Sequence, residues 1–212
     1  MITDYPEEWN ELSKYERKKK IKELLQEQER KSSSLKKIRN IGLIVIAIIL
    51  IVVGIIQLTK KTPEQIKLKK QVATVSLDGK VEKFAIEGRD HVSTETSVEY
   101  KTNPPTSGSH LDQAKNWGIY SKKIDDKAAV HGLEHGGIWI SYKDIDDVTK
   151  KELEEIGKDN SLSVIVSPRI ENDNKIVVAS WGRMMRLETL DKVLIQKYID
   201  TYKNQSPEKL AR

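Results

Sequence analysis

The chain has no cysteine. That absence excludes a disulfide scaffold, a thiolate metal site and a cysteine nucleophile. Histidine is scarce too, with 4 in 212 residues. Charge is abundant: 33% of residues carry it, against 37% that are hydrophobic, and the net is +5. Trp, Tyr, Ile and Val are nonetheless too frequent for a wholly disordered chain. The net charge averages three unlike pieces. Residues 1–40 hold 11 Lys and Arg against 8 Asp and Glu, residues 41–58 hold none of either, and residues 59–212 hold 26 against 24. A C-terminal part so near neutrality has no general polyanion-binding field, so nucleic acid is not an expected partner.

The uncharged piece, Ile41–Leu58, reads IGLIVIAIILIVVGIIQL, and Gln57 is its only strongly polar residue. At about 1.5 Å per residue its 18 residues reach about 27 Å, close to the roughly 30 Å of a bilayer core. Arg39 before it and Lys60 and Lys61 after it can extend to the headgroups. A signal peptide would start nearer Met1 and end in a small-x-small cleavage site. The expectation is a single transmembrane helix bounded by Ile41 and Leu58, with the lipid bilayer as a partner. Lysines crowd both ends, so the positive-inside rule gives almost no vote on orientation. The orientation expected is a cytoplasmic N-terminus and a C-terminal domain outside the cell membrane.

Residues 1–40 read as a basic cytoplasmic segment containing an amphipathic helix over residues 5–30. Pro6, Glu7 and Glu8 suit its first turn, and Tyr5, Trp9 and Leu12 share a face. Its basic cluster Arg17-Lys18-Lys19-Lys20 suits an anionic leaflet or a docking partner; a solvated, partly formed helix is the alternative. Ser32-Ser33-Ser34 is expected to break it. Residues 59–70 read as a Lys-rich tether and residues 71–212 as a folded domain. Within that domain the pattern predicts strands at 73–77 and 81–86 joined at Asp78-Gly79. It then predicts a strand at 138–142, a helix over 145–157 and strands at 162–168 and 175–181, with 183–187 extending the second. A final helix over 190–202 is capped near Glu188 or Thr189. The fold class expected is α+β, a mixed or antiparallel sheet with helices on one side.

All the histidines, His91, His110, His131 and His135, fall in the aperiodic stretch of residues 87–136, which is rich in Gly, Pro and Ser. Histidine is the commonest neutral metal ligand, and sites favour long loops. In His131-Gly132-Leu133-Glu134-His135 one helical turn would stack the two histidines at i and i+4, a usual geometry for two ligands of one metal. The letters match the H-x-x-E-H pattern of inverted zinc peptidases, but the flanking glycines tell against the long helix that pattern needs. The alternative is that these histidines are structural, hydrogen-bonded within the loops. Asn103-Pro104-Pro105-Thr106-Ser107-Gly108-Ser109-His110 reads as a rigid loop presenting His110, with Thr106 and Ser107 supporting it. Met184 and Met185 point to core rather than to copper, because a strand turns them to opposite faces. Arg183 is positioned to pair with Glu134 or an anionic ligand. Trp139 and Trp181 read as core.

The blocks GRDH at 88–91, NPPTSGSH at 103–110, GIY at 118–120, VHGLEHGGIWISY at 130–142 and ASWGR at 179–183 together resemble the bacterial domain-of-unknown-function 3105 family. The resemblance covers about residues 71–205. It implies membrane anchoring or export, with the domain extracytoplasmic, and places every histidine on a motif position. It implies no activity. Where many members carry a Cys before the GIY block, this chain has Trp117. The reading is thus a single-pass membrane protein whose outer domain binds zinc or copper through His91, His110, His131, His135 and Glu134. The alternatives are a non-catalytic envelope interaction domain, with an envelope protein as partner, and a metal-dependent hydrolase.

Overall fold

Ser13 and Glu16 open the first helix with a reciprocal cap. The Ser13 amide donates to Glu16 Oε2 at 3.0 Å and the Glu16 amide to Ser13 Oγ at 3.4 Å. The helix, α1, then runs from Lys14 to Thr59. The structure, a computed structural model, describes residues 6–9, 11–59 and 62–212, without the side chains of residues 7, 33–35, 38 and 56–59. Tyr5, Lys60, Lys61 and the Leu58 side chain therefore lie outside the described residues. Two sequence expectations fail in this unit. Pro6 leads only a 3₁₀ turn, Glu7–Trp9, before the helix starts. The serines do not break α1, because Ser32 Oγ donates to the Glu29 carbonyl within the helix. Among the described residues no helix is long and apolar enough to cross a membrane. The large apolar residues from Ile41 to Ile55 are between 47% and 65% exposed.

The chain divides into Met1–Thr62 and Pro63–Arg212. The second unit begins with helix α2, Pro63–Thr74, where a tether and then a strand were expected. Pro63 and Glu64 occupy its first turn, where a missing amide costs nothing and an acid meets the helix dipole. Asp78-Gly79 does form a turn, but no hairpin. The short strand after it, β1 (Glu82–Lys83), pairs with β8 (Arg183–Leu187) at the far end of the chain.

The core sheet is built on β5, Ile138–Tyr142, every residue of which is buried. Helix α4, Asp147–Asp159, carries the chain over to β6, Val164–Pro168, which lies parallel to β5. Strand β7, Ile176–Ser180, returns antiparallel on the other side of β5, so the strands flanking the Glu171–Asn174 turn are not neighbours. Residues 183–187 do not extend β7. The chain reverses at Trp181-Gly182 and β8 pairs back antiparallel. With β4, Gly118–Ile119, parallel to β6, the order is β1-β8-β7-β5-β6-β4, a mixed sheet. Helix α5, Lys192–Tyr202, is capped by Asp191, whose carboxylate accepts from the Leu194 amide at 2.9 Å, not by Glu188 or Thr189.

Helices cover both faces of this sheet, not one. Ile138, Ile140, Val164, Val178 and Met185 pack with Leu153 and Ile156 of α4 and Leu194, Ile195 and Ile199 of α5. Trp139, Ile165, Val177, Ala179 and Met184 pack on the opposite face with Ala129, Val130 and Leu133 of α3, Asp126–Glu134. That sandwiching explains why IWISY is apolar without alternation. Met184 and Met185 point to opposite faces as expected, each fully buried.

Candidate metal centre

Helix α3 carries half of the histidine cluster, and its sequence, DKAAVHGLE, hides it. Gly132 weakens the pattern and no polar face stands out. Asp125 nonetheless caps it, accepting from the Lys127 amide at 2.8 Å. His131 and Glu134, three residues apart, share one face of the helix. The other half comes from two short parallel strands, β2 (His91–Val92) and β3 (His110–Leu111), whose register sets His91 opposite His110. The 103–110 loop enters through a cis Asn103–Pro104 bond. Gly108 sits at φ +115°, and a Cβ there would come within 3.0 Å of the Tyr100 ring. Only glycine fits that backbone without strain.

His91, His110, His131 and Glu134 each offer one ligand atom, and these atoms lie within 4.8 Å of one another. The three imidazole centroids form a near-equilateral triangle of 4.7, 4.9 and 5.0 Å. His110, His131 and Glu134 are buried and His91 is exposed. Backbone carbonyls set two of the rings. His110 Nδ1 donates to Gly108 O at 2.8 Å, and His131 Nδ1 donates to Leu111 O at 2.7 Å. A neutral imidazole that donates from Nδ1 keeps its lone pair on Nε2. Burial, reinforced by the surrounding imidazoles, holds His131 below the ordinary histidine range, so it is neutral at neutral pH. His110 Nε2 faces Glu134 Oε2 at 3.0 Å, yet makes no hydrogen bond. A buried ring nitrogen thus lies beside a buried carboxylate without a hydrogen bond to satisfy it.

The structure brings four of the five expected ligands together and leaves His135 out. His135 is the residue past the end of α3, and its Nε2 lies 3.1 Å from Glu208 Oε2. Its ring stacks edge-on to His131 at 4.4 Å. The two histidines of the H-x-x-E-H pattern therefore do not converge. Thr106 and Ser107 are fully buried, and their side chains hydrogen-bond to Thr102 and to the Glu87 amide rather than to the imidazoles. Thr106 O accepts from the Gly182 amide, and Ser107 Oγ from the Glu87 amide, so both pin the loop to its neighbours. Arg183 does not pair with Glu134. It donates to the carbonyls of Trp181 and Gln205 and stacks on Tyr202.

Sequence reasoning missed Arg169. It is buried at the end of β6 and holds the Asp126 carboxylate with two nitrogens, at 3.0 and 2.7 Å. It also donates to the Asn103 and Asn172 side chains. One guanidinium thereby ties the start of α3 to the start of the His110 loop. A charged residue closing the apolar run VIVSPR was the only signal in the sequence.

A mixed sheet covered on both faces, with a three-histidine, one-carboxylate cluster on one side, defines an α+β domain with a candidate metal centre. The family model described as "Protein of unknown function (DUF3105)" matches residues 91–212. The match spans more than half of the chain, which belongs to that family. It begins at His91 and runs to the last residue, further along than the 71–205 expected from the motifs. No curated protein and no solved structure matches the chain.

Proposed function

We propose that this domain is a metal-binding module that holds one zinc ion through His91, His110, His131 and Glu134. The observation that carries this reading is the convergence of four ligand atoms within 4.8 Å of one another, with His110 Nε2 buried, without a hydrogen bond and 3.0 Å from Glu134 Oε2. A buried ring nitrogen without a partner is costly, and a cation held by these donors would supply one. Carbonyls that lock Nδ1 and present Nε2 are the usual outer support of a metal-bound histidine. Tetrahedral zinc with bonds of about 2.0–2.1 Å needs donor atoms about 3.4 Å apart, within small side-chain adjustments of this cluster. Nitrogen and oxygen donors suit zinc and copper(II). Copper(I) is disfavoured, because among the described residues the methionines, Met184 and Met185, are packed into the two hydrophobic cores. Metal analysis of the untagged full chain, purified in detergent, tests this. About one zinc per chain is expected. Metal-free protein that takes up neither zinc nor copper overturns it.

We also infer that α1 anchors the domain in a cell membrane, with residues 1–40 cytoplasmic and the domain outside. Support comes from the charge-free run 41–58 and from apolar side chains exposed on every side of its described part. A helix apolar all round needs an apolar surrounding, and lipid supplies one. The module's role is then non-catalytic binding at the envelope surface. With Glu134 engaged as a ligand, it is not free to act as the base a peptidase needs.

A further inference from the structure

We propose that the C-terminal segment Asn204–Arg212 sets the coordination number of this centre, with Glu208 as a positioning residue that holds His135 off the metal. The proposal rests on the metal-binding reading above. The segment is tied to the end of α3 by an unusual density of main-chain bonds. The Asn204 amide donates to Gly136 O, the Glu208 amide to Glu134 O, and the Leu210 and Ala211 amides both donate to His135 O. Asn204 closes the segment on itself, bonding Ala211 through both side-chain atoms at 2.7 and 3.0 Å. The docking depends on Gly136, at φ +92°, where a Cβ would come 2.3 Å from Asn204 Oδ1. The two residues the segment grips, Glu134 and His135, are the carboxylate ligand and the one histidine outside the cluster.

The Glu208 contact explains why His135 is outside. Its ring lies 4.4 Å from that of His131, closer than any two rings within the cluster are to each other. Its nitrogens nonetheless fall outside the group of ligand atoms that lie within 4.8 Å of one another. Its Nε2 lies 3.1 Å from Glu208 Oε2 instead. With that carboxylate removed, the imidazole is released to turn toward the cluster, with the His131 ring already beside it. A four-ligand site would become a five-ligand site.

Cobalt(II) replaces zinc and reports coordination number through its visible bands, which weaken as the number of ligands rises from four to five. The full chain in detergent, loaded with cobalt alone, is expected to show the intense spectrum. Glu208→Ala is expected to lower the band intensity several-fold, and Glu208→Ala combined with His135→Ala to restore it. Glu208→Gln, which keeps an acceptor, is expected to stay close to wild type. An unchanged spectrum in Glu208→Ala overturns the proposal, as does a change that the double substitution fails to reverse. If Glu208→Ala does not fold, His135→Ala decides alone. It is expected to leave the spectrum and cobalt affinity within about twofold of wild type, and a tenfold loss shows that His135 is already a ligand. A wild-type chain that takes up no cobalt removes the metal-binding reading itself, a result distinct from each of these.

Discussion

At the scale of single residues, Glu134 carries the sharpest consequence. Its carboxylate is buried 3.0 Å from His110 Nε2, with no hydrogen bond between them. Glu134→Gln removes the charge and supplies an amide N–H that can donate to His110 Nε2. The metal-free protein should therefore gain stability, by about 1 kcal/mol or 2–4 °C in melting temperature. Zinc affinity should fall by about 10- to 100-fold in the same variant. Melting curves with and without zinc check both signs, and a fall in both rejects this reading of the His110–Glu134 contact. Tyr198 gives a pH effect. Burial pushes its hydroxyl well above the ordinary tyrosine range. An acid whose proton is held more tightly in the folded state stabilises fully below its unfolded value, about 10, and loses that contribution as pH rises beyond it. Tyr198→Phe should be less stable than wild type at pH 8, lacking the hydrogen bond with Ser180, and should lose less stability between pH 9 and 11. Denaturant melts at the three pH values check this. Among residues, the histidines were legible because scarcity and confinement to one stretch set them apart. The exclusion of His135 was not, because it depends on Glu208, a partner more than seventy positions away.

Elements were legible where burial writes a pattern, and illegible where single contacts decide. IWISY was readable as a strand to the residue, and the ends of α4 and α5 within about two residues, because their apolar faces repeat with the right period. Helix α3 was hidden by Gly132, whose missing side chain leaves room for Ile165. The expected hairpin at Asp78-Gly79 failed because β8, from the far end of the chain, supplies the partner strand instead. Local turn chemistry fixes the bend and leaves the pairing open. The same long-range logic makes Arg169 a strut for two elements of the site. Arg169→Met leaves Asp126, Asn103 and Asn172 without their shared donor. Removing one member of such a buried pair costs about 3 kcal/mol. Because Asp126 opens α3 and Asn103 opens the His110 loop, zinc affinity should fall with stability, though no ligand has been touched. Urea unfolding and zinc titration of the one variant test this; lost stability with unchanged affinity would show that the clamp supports the sheet alone.

For the molecule as a whole, the three-part distribution of charge is the organising fact. A charge-free run separates a basic segment from a nearly neutral domain, and α1 carries that run without interruption. Exposed apolar surface on all sides of a helix is unfavourable in water, and the anchor proposed above would place it in lipid. Flanking lysines on both sides leave the orientation to experiment, and the absence of cysteine makes that experiment clean. A single thiol introduced anywhere is the only one in the chain. Gln28→Cys places it on the exposed surface of α1 before the run, and Lys158→Cys on the exposed surface of α4 in the domain. With the N-terminus inside, a membrane-impermeant maleimide added to intact cells should label Lys158→Cys fully and Gln28→Cys only after lysis. The reverse pattern would invert the topology and place the metal centre in the cytosol, where zinc is held scarce by competing ligands. Labelling of both sites only after lysis, with the protein recovered free of membranes, would remove the anchor altogether. The pattern expected puts the histidine cluster where a domain without thiols can hold a metal with no exposure of cysteine to oxidation, which is the physical advantage of building such a site from nitrogen and oxygen alone.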